Sequence, residues 1–234
     1  MIPLKDDIPS DSFPYVNYSL IALNVFFFFV ELAQGPGLLK FIYQYGFVPL
    51  RFTVYLSDPN VPFLTAIGPI FSSMFLHGGW LHLIGNMLYL YIFGDNVEDV
   101  LGHFRYAIFY LLCGFTAALV QYTLHPHSTV PMIGASGAIA GVLGAYFVLF
   151  PFARIYTLVV IFFFIEVIAV PAFFYLFFWF LLQLLNGSAV LAFSGVQGQG
   201  IAWWAHIGGF LAGIALVLMF KRKKRVTYRV YRPW

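Results

Sequence analysis

Gly134-Ala135-Ser136-Gly137-Ala138-Ile139-Ala140-Gly141-Val142-Leu143-Gly144 is the most telling stretch of this 234-residue chain. Apart from one hydroxyl it is wholly apolar, and its small residues recur at three- and four-residue spacing. On a helix that spacing makes a smooth stripe on which a second helix backbone can lie closely, as helices in bilayers do. Two readings of Ser136 stand side by side. It is a small packing residue of the stripe, or it is a nucleophile. In the second reading the flanking glycines leave room for a substrate, and the amides of a helix start face developing negative charge.

The remainder of the chain places this stretch in a membrane. Hydrophobic residues make up 62% and charged residues 9%, whereas a soluble domain carries roughly 25% charged residues. We read six spans, at about 17–35, 78–97, 104–123, 135–152, 155–182 and 201–220. Each can cross the roughly 30 Å of hydrocarbon. The expected fold is all-α, a polytopic membrane protein with a bundle of six transmembrane helices. The fifth span is over-long and contains Pro171, so a tilt or kink is expected there. Residues 36–76 are apolar but broken by Gly, Pro, Asp58 and Asn60. They read as an outer arm lying in the interface, anchored by Tyr43, Tyr45, Phe47 and Tyr55. A seventh, poorly formed span is the alternative.

Residues 1–16 read as a short N-terminal segment and 222–234 as a basic tail, around a membrane domain of 17–221. No cleavage site follows the first apolar run, so it reads as a retained span and not a secretory signal. No appended soluble domain is apparent, which points to a prokaryotic cell membrane. The single Cys113 excludes an internal disulfide. Seven of the twelve basic residues lie between Lys221 and Arg232. Beyond a span, such a cluster reads as a cytoplasmic anchor on anionic lipid and not as a nucleic-acid site. With six spans both termini are then cytoplasmic. Ten basic residues fall inside, and only Lys40 and Arg51 fall outside.

Polar residues within spans are costly and point to function. His206 lies in Ala205-His206-Ile207-Gly208-Gly209 of span six, either bonding a backbone carbonyl or acting as a base. Spans two, four and six run in one direction, so Ser136 and His206 share a level on the outer side. Glycines on both helices allow the approach that an activated serine requires. His82 and Asn86, four apart, share one face of span two. They serve either as oxyanion donors or as interhelical hydrogen bonds. His77 at the span's edge reads as structural, Asp58 as a turn residue, and Glu166 as a structural acid within span five. His103, His125 and His127 read as solvated loop residues.

Together, Gly134-Ala135-Ser136-Gly137, His82 with Asn86, and Ala205-His206-Ile207-Gly208-Gly209 resemble the rhomboid family. Phe93-Gly94-Asp95-Asn96-Val97-Glu98-Asp99 leading to Gly102-His103 resembles its prokaryotic members. The resemblance covers about 17–221. It implies an intramembrane serine endopeptidase with a Ser136–His206 dyad, and an oxyanion hole of the Ser136 backbone N–H, His82 and Asn86. It also implies single-span membrane proteins as substrates, cleaved after a small residue. Span five, with Phe177 and Trp179, would match the lateral gate, and 183–199 the cap. No cofactor or metal is implied. Two features depart from some members. Ala140 stands where an aromatic one turn after the serine stacks on the histidine, and the arm lacks a Trp-Arg pair.

Other readings make different demands. A catalytically inactive relative would bind membrane clients without needing Ser136 and His206. A small transporter would use His82, Asn86, His206 and Glu166 as a polar path. A metal site would draw on His77, His82 and His206, although no His-Glu-x-x-His motif is present. The aspartyl class of intramembrane proteases needs paired intramembrane aspartates, which are absent.

Overall fold

The computed structural model describes residues 2–161, 164–193 and 202–220. Strand β1 (Ile2–Lys5) leads to α1 (Tyr15–Ala33). An arm of short helices follows: α2 (Leu38–Tyr45), α3 (Pro49–Ser57) and α4 (Phe63–Ser72). Then come α5 (Trp80–Leu101), α6 (His103–Leu124), α7 (Ser136–Leu149), β2 (Arg154–Ile161), β3 (Phe164–Pro171), α8 (Ala172–Phe193) and α9 (Trp203–Phe220). The chain is mostly helical, and α1, α6, α8 and α9 are each long and apolar enough to cross a bilayer. Helix α5 is as long as α6 but carries Asp95, Glu98 and Asp99 in its last turns. These helices make it a multi-pass membrane protein, compatible with the expected bundle of six.

Helix α7 occupies the centre. All ten residues from Gly137 to Tyr146 are buried. Its close neighbour is α9, and glycine is what sets the distance. A methyl group added at Gly209 would lie 2.0 Å from the Gly137 carbonyl oxygen, and one at Gly213 would lie 1.9 Å from that of Gly141. The matched steps from 137 to 141 and from 209 to 213 mean that the two helices run in the same direction.

The fifth expected span is corrected. Residues 154–171 are not helical but form an antiparallel hairpin, and the helix begins at Ala172, just past Pro171, and runs to Phe193. Ile155, Thr157, Val159, Val160, Ile165, Val167, Ile168 and Val170 are β-branched and fit a pleated strand better than a helix. A continuous apolar run carries no periodicity to tell the two apart. Strand β1 adds to the hairpin beside β2, giving the order β1-β2-β3. Glu166 therefore lies on a strand, exposed and opposite Val159, and not inside a span. This removes it from any transmembrane polar path. Of the expected cap at 183–199, residues 183–193 belong to α8; 194–199 and the basic tail lie outside the described residues.

The stretch Gly94 to Asp99 fastens the N-terminal segment to the end of α5. Pro14 precedes α1 and offers no side-chain cap. Instead, the Glu98 carboxylate accepts the Val16 and Asn17 amides at 3.0 and 2.7 Å, placing negative charge at a helix N-terminus where it is favoured. Asp95 accepts the Ser10 hydroxyl at 2.8 Å, and Asp99 accepts the Ser12 amide at 3.0 Å. His103, expected in a solvated loop, opens α6; its side chain is exposed and pairs with Glu98.

Asp6 is partly buried and accepts the Tyr146 hydroxyl. Burial raises its pKa to about 7, against the lowering effect of that hydrogen bond, with Asp95 adding a further rise. The folded chain holds a proton there that an unfolded aspartate releases near pH ~4. The stability from this group is thus full below that pH and is lost as pH rises through about 7. The unfolding temperature in detergent should therefore fall between about pH 4 and 7, and Asp6→Asn should flatten that slope.

The arm holds the chain that leads into α7. Its longest helix, α4, has 10 residues, too few for a seventh span. Asp58 makes the expected turn, accepting the Asn60 amide at 2.9 Å. The Arg51 guanidinium donates to the Tyr43 carbonyl at 2.7 Å, tying α3 to the end of α2. Phe47 and Met132 exchange backbone hydrogen bonds at 3.0 and 2.8 Å, and the Gly134 amide donates to the Ser73 carbonyl at 2.9 Å.

Candidate active site

Ser136 is the first residue of α7 and His206 the fourth of α9. Because those helices are parallel neighbours, the two side chains meet at one end of the bundle. The Ser136 hydroxyl lies 2.8 Å from His206 Nε2. Gly134, two residues earlier, has φ +121°, a conformation that side-chain-bearing residues rarely adopt. A Cβ there would also stand 2.7 Å from the His82 ring and 3.6 Å from the Ser136 hydroxyl. Both the turn and the space beside the Ser136 hydroxyl therefore require glycine.

The other side of His206 is also engaged. Its Nδ1 lies 2.9 Å from the Gln183 side-chain oxygen on α8. The Gln183 amide nitrogen donates to the Trp179 carbonyl at 3.0 Å, so the amide is oriented with its oxygen toward the imidazole. That oxygen can only accept, so Nδ1 carries the hydrogen and Nε2 is free to accept the serine proton. The missing aromatic at Ala140 is thereby explained. Ala140 is fully buried, and a Cβ at Gly209 would lie only 3.3 Å from its own Cβ. A ring there would push α9 away. The imidazole is instead flanked by Trp179 and Trp203, with ring centroids 6.0 and 6.3 Å distant.

His82 and Asn86 lie on one face of α5 toward the same site. His82 Nδ1 accepts the Gly78 amide at 3.3 Å, which leaves the hydrogen on Nε2, the atom beside Gly134. Asn86 is buried, and its amide nitrogen makes no hydrogen bond among the described residues. The first amides of α7 likewise lack intrahelical acceptors. These donors converge on one cavity of about 670 Å³, lined by His82, Asn86, Ser136, Trp179, Gln183 and His206. It is a space that brings together a hydroxyl, an imidazole and side-chain donors, the kinds of group that acyl transfer to a hydroxyl uses.

The remaining expected residues are placed as follows. Trp179 lines the cavity, whereas Phe177 is 47% exposed and stacks on Phe173 of the same helix. His77 is buried beside His82, with ring centroids 5.2 Å apart, and its amide donates to the Glu31 carboxylate at 3.0 Å. His125 interacts with Gln121 at 3.4 Å. Among the described residues no group of three His, Cys, Asp or Glu side chains could hold a metal ion. Sequence reasoning missed Gln183 and Glu31. Each is a polar residue in an apolar helix, the signal that singled out His206.

The family described as the Rhomboid domain matches residues 65–223. RHOMBOID-like protein 6, mitochondrial, of Arabidopsis thaliana is 30% identical over 127 residues, 48% of this chain and 40% of that one. Rhomboid protease GluP of Bacillus subtilis (strain 168) is 32% identical over 136 residues, 56% of this chain and 24% of that one. Presenilin-associated rhomboid-like protein, mitochondrial, of Bos taurus is 29% identical over 204 residues, 83% of this chain and 46% of that one. The chain thus spans less than half the length of each of these relatives. A domain match over more than half of the sequence, with a serine and a histidine joined across two glycine-lined helices, leads to one conclusion: the chain belongs to the rhomboid family.

Proposed function

We propose that this protein is an intramembrane serine endopeptidase that cleaves single-span membrane proteins within or beside their transmembrane segment. The observation that carries the reading is the 2.8 Å contact between the Ser136 hydroxyl and His206 Nε2 in a cavity with unpaired donors. The Ser136 oxygen attacks the scissile carbonyl as His206 Nε2 takes its proton. The oxyanion is held by the Ser136 amide, His82 Nε2–H and the Asn86 amide. His206 then protonates the leaving amine, and water, activated in the same way, hydrolyses the acyl-enzyme and regenerates Ser136. A fluorophosphonate should label the purified protein, and Ser136→Ala should lose both the label and cleavage of a reporter single-span substrate. Label retained at another residue, with cleavage intact, would remove the proposal.

The oxyanion assignment makes its own demand. Asn86→Ala or His82→Ala should lower kcat by about 10²–10³ with little change in KM, as loss of one such donor does elsewhere. Steady-state cleavage in detergent measures this, and a KM effect alone would make these residues merely structural.

Substrate is proposed to reach the cavity laterally past α8, beside Trp179, with Phe177 on the outward face of that helix. The Tyr89 and Tyr175 hydroxyls lie 2.8 Å apart and latch α8 to α5. Tyr175→Phe removes a bond of about 0.5–1.5 kcal/mol and should speed cleavage of a transmembrane substrate severalfold. Unchanged cleavage by the folded variant would count against this gate. The Ser136 end of the bundle is read as the outer side, and the end bearing β1 and the last turn of α9 as cytoplasmic. Ten basic residues against two support that orientation.

A further inference from the structure

We infer that Gln183 is a positioning residue that extends the Ser136–His206 pair to a three-member relay, reaching the base from α8. This rests on the reading of Ser136 and His206 as nucleophile and base. Three observations carry it. The Gln183 oxygen lies 2.9 Å from His206 Nδ1. Its amide is locked by the bond to the Trp179 carbonyl, 3.0 Å away. Gln183 is 6% exposed, so little water can replace it.

The physical need is plain. A histidine with no partner at Nδ1 divides between two tautomers and several ring orientations, and only one of these presents a lone pair at Nε2 to the serine. A buried carbonyl-type acceptor selects that form and stabilises the imidazolium that develops when the proton moves. Unlike an aspartate, the amide adds no charge. The acceptor sits on α8, the helix that Tyr175 latches to α5, so the helix proposed to open for substrate also carries the group that orients the base.

The test uses the full chain in detergent, with a fluorophosphonate as the probe of Ser136 and a reporter single-span substrate for turnover. Gln183→Leu keeps the side chain's size and removes the acceptor. Labelling and kcat should fall by about tenfold to a hundredfold, part of the roughly 10²–10⁴ that a positioned base supplies, with KM nearly unchanged. Gln183→Glu restores an acceptor and adds negative charge that favours the imidazolium. It should recover much of the lost rate at high pH, with the acid limb of the pH–rate profile moved up by about one pH unit or more. A residue that merely packs α8 against α9 would leave that limb in place, and Glu would be as damaging as Leu. Wild-type labelling by Gln183→Leu, or an unmoved acid limb in Gln183→Glu, overturns the inference. If Gln183→Leu does not fold, the acid limb of Gln183→Glu decides alone. Ser136→Ala labelled like wild type is a different failure, since it would remove the nucleophile itself.

Discussion

Ser136→Ala and His206→Ala are each expected to lower kcat for a single-span substrate by about six orders of magnitude, and the double variant by little more. The hydroxyl and the imidazole lie 2.8 Å apart and act on one proton, so removing either removes the same step. What survives should be the share of the donors that remain, His82, Asn86 and the α7 amides, about 10³–10⁴ over uncatalysed hydrolysis. Neither side chain bridges a large core, so both variants should keep the wild-type melting temperature within a few degrees. Two variants with multiplying effects would mean that the groups act in separate steps.

The second large effect concerns the fold. Gly213→Ala places a methyl group 1.9 Å from the Gly141 carbonyl oxygen, and Gly209→Ala places one 2.0 Å from that of Gly137. A rigid helix backbone cannot yield there, so α9 must move off α7. Overpacking of this kind costs about 3 kcal/mol. The consequence for chemistry is larger than for stability, because Gly209 stands one turn from His206. A shift of about 1 Å at a reacting pair costs on the order of 10²-fold in rate. Variants that still fold should therefore label slowly with a fluorophosphonate. Gly68→Ala is the control, since a Cβ there meets nothing within 4 Å. It should leave melting and labelling unchanged.

Much of this was legible in the sequence, for reasons that can be located. The glycines of α7 and α9 announce close packing because their spacing matches the helix repeat. The shared level of Ser136 and His206 follows from counting spans, because a helix direction is fixed by parity. Residues 154–171 were misread because a β-branched apolar run looks alike as strand and as span. Their partner, Ile2–Lys5, lies some 150 residues away, and no local pattern encodes such a pairing. The role of Glu98 as a cap on α1 is hidden for the same reason. Gln183 was overlooked because the expected span ended at 182 and gave 183 to the cap, whereas the helix runs on to Phe193. Ala140 looked like a missing support for the histidine until α8 supplied another.

The brevity of α7 has an effect on solvent. Fourteen residues make a rod about 21 Å long, against roughly 30 Å of hydrocarbon. With its far end level with one face of the bilayer, its hydroxyl-bearing end stops about 9 Å short of the other. In the proposed hydrolysis, water would have to descend a well of that depth, lined in part by the arm and α8. Lipids with longer tails would deepen the well while leaving the protein unchanged, so bilayer thickness becomes a control on turnover that no side chain encodes.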